Sequence, residues 1–309
     1  HLFALEEFGV DITAKDGNYH VGATPKSPGE LTLYEAGNTV TNNVMMAAAL
    51  TPATTKVYGA SGDYMTQDLG YFLQKLGIKI EGIGMPFLMI TGLRKINKDV
   101  TYSPTEDPIE AMFFIAAAAV TNSKITIERV PRHWIGLELL KLEKMGLSIS
   151  RSKPYLADNG KIELADLTIE KYTRLKALDD KIHPNLWPGI NPDSLPYMVI
   201  IAALAHGRTL IHDWIFENRA IYYTELAKIG ASVELADPHR LYVTGPTHWR
   251  TADLVCPPAL RPASLLLIGM LAADGISTLR NVYTIRRGYE DLADRLNSLG
   301  ARISILNTI

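Results

Sequence analysis

Cysteine is nearly absent: Cys256 is the single one in 309 residues. That excludes an internal disulfide and fits a reducing, cytoplasmic setting. Long apolar runs are missing too. The longest, AMFFIAAAAV (111–120), falls well short of the roughly 20 residues a spanning helix needs, so no membrane partner is expected. Charge of one sign is not concentrated anywhere. The formal net charge is -2, so neither nucleic acid nor an anionic surface is an expected partner. The eight histidines contain no HxxxH or Cys/His pairing, so no metal site and no cofactor are expected. Gly82-Ile83-Gly84 lacks the third glycine of a dinucleotide loop and lies between two strand-like stretches, which reads as a hairpin turn. No signal peptide and no initiator Met are visible at the start.

Repetition is what the chain has instead. A helix ending in Gly and running into a strand occurs five times: LEEFGVDI, LQKLGIKI, LEKMGLSI, LAKIGASV and LNSLGARI. The glycines are Gly9, Gly77, Gly146, Gly230 and Gly300, at intervals of 68, 69, 84 and 70 residues. Glycine caps helices because it reaches positive φ without a Cβ clash, and near-constant spacing makes this an internal repeat. Upstream of each Gly after the first lies a small-residue apolar helix: 42–50, 111–120, 197–205 and 264–273. A β-rich stretch follows, then an amphipathic helix (65–76, 135–145, 222–229, 289–299), then two short strands such as 78–81 with 87–91 or 232–235 with 241–244. The unit is βαβαββ, and the apolar helix, hydrophobic nearly all round, belongs inside. The long third interval places an extended loop between Tyr155 and Asn191, marked by Pro184, Pro188 and the following Pro192. The first repeat lacks its first half, and ARISIL (301–306) reads as a strand without a partner, so a fragment of a longer protein is expected.

Chemistry is best sought in loops that precede helices. Arg219, Arg261 and Arg287 read as lying at or just before helix N-termini, the unfavourable end of the macrodipole for a cation by roughly 0.3–1 kcal/mol each. A shared phosphate or carboxylate would resolve the conflict; the alternative is three solvated surface arginines. Asp193, between Pro192 and Ser194 at the start of a helix, is either an N-cap or a catalytic carboxylate. Asp63 and Asp107 read as N-caps. Asn38, Thr39, Thr41 and Asn43 are turn residues that could also bind a sugar, His183 a loop residue, and Cys256 an apolar filler.

The segments IFENRAIYYTELAKIGA (215–231), LRPASLLLIGMLAADG (260–275) and IRRGYEDLADRLNSLGA (285–301) resemble the UDP-N-acetylglucosamine 1-carboxyvinyltransferases, enolpyruvyl transferases of peptidoglycan synthesis, over essentially the whole chain. The resemblance implies an α/β fold, an inside-out α/β barrel of two domains with three βαβαββ units each and a site in the cleft. Residues 1–105 would be the remainder of the first domain, and 106–309 nearly all of the second. The implied substrates are phosphoenolpyruvate and UDP-N-acetylglucosamine. Asp193 would then be the base at the sugar 3′-hydroxyl, with Arg219, Arg261 and Arg287 lining the phosphoenolpyruvate and phosphate pocket. Glu35, Ala36 and Gly37 would fall on the uridine loop, and Ile215 would contact the sugar nucleotide through its backbone.

The sequence also departs from the family pattern. Ala259 stands where the family's Asp-Leu-Arg motif has Asp, Pro108 where Arg is usual, and Glu35-Ala36 where the uridine loop has Ser-Val. The family's catalytic Cys (or Asp) loop and Lys-Asn pair have no counterpart here. The chain alone is therefore expected not to turn over, the arginines to converge, and the 301–306 edge to self-associate or recruit a strand. The alternative reading is a non-catalytic paralogue that binds a sugar nucleotide or a partner protein, favoured by Ala259.

Overall fold

The five capping glycines set the architecture, and all five adopt positive φ, between 82° and 105°. After four of them the next amide reaches back to the carbonyl five residues earlier (Ile78 to Leu73, Leu147 to Leu142, Ala231 to Leu226, Ala301 to Leu296; 3.0–3.1 Å). This is the Schellman closure, which satisfies orphan helix carbonyls and turns the chain into the next segment.

A computed structural model describes residues 1–306 in two compact units. One comprises His1–Thr105, Leu156–Glu163 and Leu186–Pro188; the other comprises Glu106–Tyr155, Leu164–Asn185 and the chain from Gly189 onward.

In the first unit, α1 (Leu2–Glu6) leads into the hairpin of β1 (Val10–Lys15) and β2 (Asn18–Ala23). Lys15 pairs with Asn18, so Asp16-Gly17 is a two-residue turn. Both turn residues have positive φ, as a type I′ turn demands. Next come β3 (Glu30–Thr32), α2 (Asn38–Ala49), β4 (Thr54–Tyr58), α3 (Tyr64–Lys75), β5 (Lys79–Glu81) and β6 (Phe87–Thr91). The strands form one sheet in the order β3-β4-β6-β5, with β3–β4 parallel and the rest antiparallel. Gly82-Ile83-Gly84 is indeed the β5–β6 turn, closed by the Met85 amide on the Gly82 carbonyl at 2.8 Å. Val44, Met45 and Ala48 of α2 meet Val57, Leu88 and Ile90 of the sheet in the core. Full burial of α2 is the expectation from its composition, but Met46 and Leu50 at its C-terminal end are about half exposed. The helix buries one face only.

The second unit is built on helices inside sheets. Its elements are α4 (Pro108–Val120), β7 (Ile125–Val130), α5 (Gly136–Met145), β8 (Ile149–Arg151), Tyr155 of the two-residue β9 (Tyr155–Leu156) and, from Leu164 on, β10 (Glu163–Ile169). The chain continues through α6 (Leu195–Ala202), β11 (Gly207–His212), α7 (Arg219–Tyr222), β12 (Ser232–Asp237) and β13 (Arg240–Gly245). It ends in β14 (Asp253–Val255), α8 (Leu260–Leu271), β15 (Thr278–Arg280), α9 (Tyr283–Gly288) and α10 (Leu292–Ser298). Helices α4, α6 and α8 pack on one another. Every residue of α4 except Glu110 is buried, and so is every residue of α6, because neither helix offers a polar face to water. Around them lie β7-β10-β8, β11-β13-β12 and the parallel pair β14-β15.

The amphipathic helices differ from expectation. A 3-10 turn over Arg132–Ile135 precedes α5, and α7 passes into a 3-10 segment over Tyr223–Ile229. The expected helix over 289–299 starts only at Leu292, because Tyr289 is extended (φ -136°, ψ 129°) and turns its ring inward. Residues 301–306 form no strand. No ladder partner lies alongside them among the described residues; instead the Asn297 side chain accepts from the Ile303 N–H (2.7 Å) and donates to its carbonyl (2.9 Å). Among the described residues no helix is long and apolar enough to cross a membrane.

Candidate active site

Asp193 closes the turn before α6. Its own amide is held by the Asn191 side-chain carbonyl at 2.8 Å, while Ser194 occupies the N-cap position without a side-chain cap bond. Asp193 is therefore not spent as a cap, and its carboxylate is free to look elsewhere. One oxygen lies 3.5 Å from Arg219 Nη1 and the other 3.5 Å from Arg261 Nη2. Those distances are long for hydrogen bonds and right for ion pairs. About two fifths of the Asp193 side chain stays accessible (39%), against 8% and 16% for the two arginines.

Arg219 opens α7 after Asn218, which takes the left-handed conformation (φ 58°). Its Nε and Nη2 donate to the two oxygens of Asp213 at 2.6 and 3.0 Å, and Nη2 also donates to the Pro192 carbonyl at 2.6 Å. Asp213 is wholly buried and accepts a third bond from the Tyr223 hydroxyl at 2.7 Å. The guanidinium also stacks 4.3 Å from the Phe216 ring. Burial works against its charge, but Tyr223, Asp213 and Asp193 together hold it above the ordinary arginine value. A cation at a helix N-terminus thus finds its counter-charge inside the protein.

Arg261, second in α8, donates to the Tyr289 hydroxyl at 2.9 Å. That hydroxyl is closely bonded to the Tyr197 hydroxyl, and the Ser264 hydroxyl, 3.3 Å from Tyr197, donates to the Arg261 carbonyl at 2.8 Å. The Phe113 ring packs against both tyrosines. Burial pushes both phenols up, so they stay protonated as neutral hydrogen-bonding groups around the guanidinium.

Arg287 requires a correction. It lies in the last turn of α9 rather than before a helix, which is the favourable end for a cation, so the dipole conflict inferred from the sequence does not exist there. It is exposed and makes no hydrogen bond or ion pair among the described residues. Its neighbour Gly288 nonetheless sits hard against Leu260, which an added Cβ would meet at 2.2 Å, so the α9 end is pinned to the start of α8. Ile215, half-buried, belongs to the Asp213–Arg219 loop. Glu35, Ala36 and Gly37 lie in the first unit between β3 and α2; Glu35 is exposed, and Gly37 is the N-cap of α2, its carbonyl accepting from the Thr41 hydroxyl at 2.7 Å.

The remaining candidates resolve as structural. Asp63 accepts from the Met65 amide and Asp107 from the Ile109 amide, both as N-caps. Asn38 takes the Ser61 hydroxyl, and burial pushes the Cys256 thiol up to about 11. Sequence reasoning missed Asp213, Tyr197, Tyr223 and Tyr289. The one available signal was Asp213 itself, an acid six positions before an arginine in an apolar stretch.

The family model for EPSP synthase (3-phosphoshikimate 1-carboxyvinyltransferase) matches residues 1–296. The chain belongs to this family. Relatives named UDP-N-acetylglucosamine 1-carboxyvinyltransferase include that of Bacteroides fragilis, 33% identical over 98% of this chain and 70% of that protein. That of Treponema denticola is 34% identical over 99% of this chain and 70% of that protein. Among solved structures, the enolpyruvyl transferase NikO from Streptomyces tendae superposes with a TM-score of 0.81 at 26% identity, covering 97% of this chain and 71% of that one. EPSP synthase from Acinetobacter baumannii, at 18% identity and a TM-score of 0.76 over 98% of this chain and 71% of that one, shares the fold. The fold is accordingly the inside-out α/β barrel class of the enolpyruvyl transferases.

Proposed function

We propose that this chain carries enolpyruvyl transfer from phosphoenolpyruvate to the 3′-hydroxyl of UDP-N-acetylglucosamine, releasing phosphate, as a step of peptidoglycan precursor synthesis in the cytoplasm. The observation that carries this reading is the Asp193 carboxylate set against one buried and one half-buried guanidinium group at 3.5 Å each. The relatives at 33–34% identity bear the name of that activity.

The chemistry follows from charge placement. Asp193 takes the proton of the attacking hydroxyl, whose oxygen bonds to the phosphate-bearing carbon of phosphoenolpyruvate while the methylene carbon gains a proton from solvent. The tetrahedral adduct then loses phosphate and a methyl proton, restoring the double bond. Arg219 and Arg261 hold the anionic end of phosphoenolpyruvate and the leaving phosphate, since guanidinium forks in a water-poor site suit both. Arg287 adds a third, exposed cation from α9. Ile215 contacts the sugar nucleotide through its backbone, and Glu35, Ala36 and Gly37 supply the uridine loop. Residues 1–105 and 106–309 act as the two domains.

Ala259 favours a second reading, a non-catalytic paralogue that keeps ligand binding. It is the N-cap of α8, two residues before Arg261, and offers no side-chain cap bond and no carboxylate to the site. One calorimetric experiment tests the shared core of both readings. Phosphoenolpyruvate and UDP-N-acetylglucosamine should each bind, and Arg261→Ala should weaken phosphoenolpyruvate by about tenfold or more, the effect of removing a charge-assisted bond of about 1.5–3 kcal/mol. No binding of either ligand by the folded protein would overturn the proposal. The chain by itself is expected to release no phosphate. Release with both substrates once a segment carrying the family's Cys (or Asp) loop and Lys-Asn pair is supplied in trans separates the readings, since the transferase then releases it and the paralogue does not.

A further inference from the structure

Glu138 is an ionisable residue that the proposed chemistry does not use. It lies in the first turn of α5 with no exposed surface. One of its oxygens accepts the Asn191 amide at 3.0 Å. The other, and the Ser194 hydroxyl, are buried with no hydrogen-bond partner at good geometry among the described residues, although that hydroxyl lies within reach of the carboxyl. A fully buried acid is costly unless its bonds are specific, and here they converge on a single turn.

That turn carries Asp193. The Asn191 side-chain carbonyl holds the Asp193 amide at 2.8 Å, and the Asn191 backbone carbonyl accepts from Ser194 and Leu195 at 2.9 and 3.2 Å. Glu138 therefore grips the one residue that organises the whole turn. We propose that Glu138 is a positioning residue, which through Asn191 fixes the Asp193 carboxylate against Arg219 and Arg261. The proposal rests on the reading of that site as an anion pocket.

Burial pushes the Glu138 carboxyl up to about 7, against the weaker opposing pull of its own amide, the Asn191 amide and the Ser194 hydroxyl. Among the described residues, no charged side chain is among the causes of that rise. Asp193, Arg219 and Arg261 are coupled to it only through the turn, and Arg132 and His133 are the titratable residues of the preceding 3-10 turn. Its proton thus changes hands in the neutral range, and the strength of its grip on Asn191 changes with it.

Two measurements test this on the whole chain. Amide hydrogen exchange at Asp193 should lose about tenfold or more of its protection in Glu138→Leu and keep it in Glu138→Gln, which retains the acceptor. Glu138→Asp, one methylene shorter, replaces the leucine variant if that does not fold. Binding of inorganic phosphate should rise in Asp193→Asn, which removes the competing carboxylate. Glu138→Leu should raise it by about tenfold in the Asp193 background and not at all in the Asp193→Asn background, the mark of coupled residues. Equal effects in both backgrounds, or unchanged protection at Asp193, would overturn the proposal. Should the unmutated protein not bind phosphate, the anion-pocket reading fails by itself, and the exchange result still decides the role of Glu138.

Discussion

The heaviest single perturbation available in this chain is Asp213→Ala. The substitution leaves the Arg219 guanidinium, 8% exposed, without its bidentate partner. It also strips the Tyr223 hydroxyl of its acceptor. Removing one member of a buried ion pair typically costs about 3–5 kcal/mol, because the other charge stays buried. The stranded phenol, fully buried, adds about 1–3 kcal/mol. Two contacts remain to soften this: Arg219 still donates to the Pro192 carbonyl at 2.6 Å and still faces Asp193 at 3.5 Å. A net loss of about 4 kcal/mol follows, which for a unit of this size lowers Tm by roughly 8–16 °C. Differential scanning calorimetry is the assay, with each transition fitted separately because two units need not melt together. Asp213→Leu combined with Arg219→Met, which removes both charges, should recover most of the loss while abolishing phosphoenolpyruvate binding. If Asp213→Ala alone costs less than about 1 kcal/mol, Arg219 is solvated rather than buried in solution, and the account of the site collapses with it.

Tyr289→Phe removes the hydroxyl shared by Arg261 and Tyr197 and should cost about 1–3 kcal/mol by denaturant titration; an unchanged midpoint would show that the network contributes nothing. Ala259→Asp, at an extended N-cap position (φ -92°, ψ 129°), should stabilise α8 by about 1 kcal/mol through capping and dipole, and a lower Tm would count against that cap geometry. Glu138, raised from 4.5 to about 7, binds more protons folded than unfolded. Its contribution is therefore full below about pH 4.5 and lost as pH rises through 7, so Glu138→Gln should flatten the fall in stability by up to about 3 kcal/mol at pH 8. An identical pH profile for the variant would refute the shift. Ile305 and Leu306 are apolar and 52% and 85% exposed; sedimentation velocity should show concentration-dependent association that Ile305→Lys suppresses, and a monomer at every concentration would dispose of the idea.

The repeat was legible because each of its parts is enforced locally. Gly146 and Gly230 close helices in the left-handed region, and α4 and α6 have no polar face with which to meet water, so period and composition alone place them. Helix limits near the site were not legible, because tertiary contacts override the local pattern there. Tyr289 leaves a helical register to reach Arg261 and Tyr197, and that displacement puts Arg287 at the end of one helix rather than the start of the next.

The same logic explains what could be read of the site itself. Arg219 and Arg261 were visible as cations in electrostatically wrong places, since a helix N-terminus is a local feature. What sequence spacing could not show is that the chain supplies its own answers, Asp213 beneath Arg219 and Asp193 facing both. Those pairings join β11–α7 loop, α6 turn and α8, which only the packed helices bring together. An anion entering this site therefore does not meet naked guanidinium groups. On the proposed reading it competes with Asp193, because Asp213 is locked by three bonds while, among the described residues, the Asp193 carboxylate has no partner closer than 3.5 Å. A site so arranged holds its arginines rigid while leaving one carboxylate able to yield, which is the combination that proton transfer beside a bound phosphate requires.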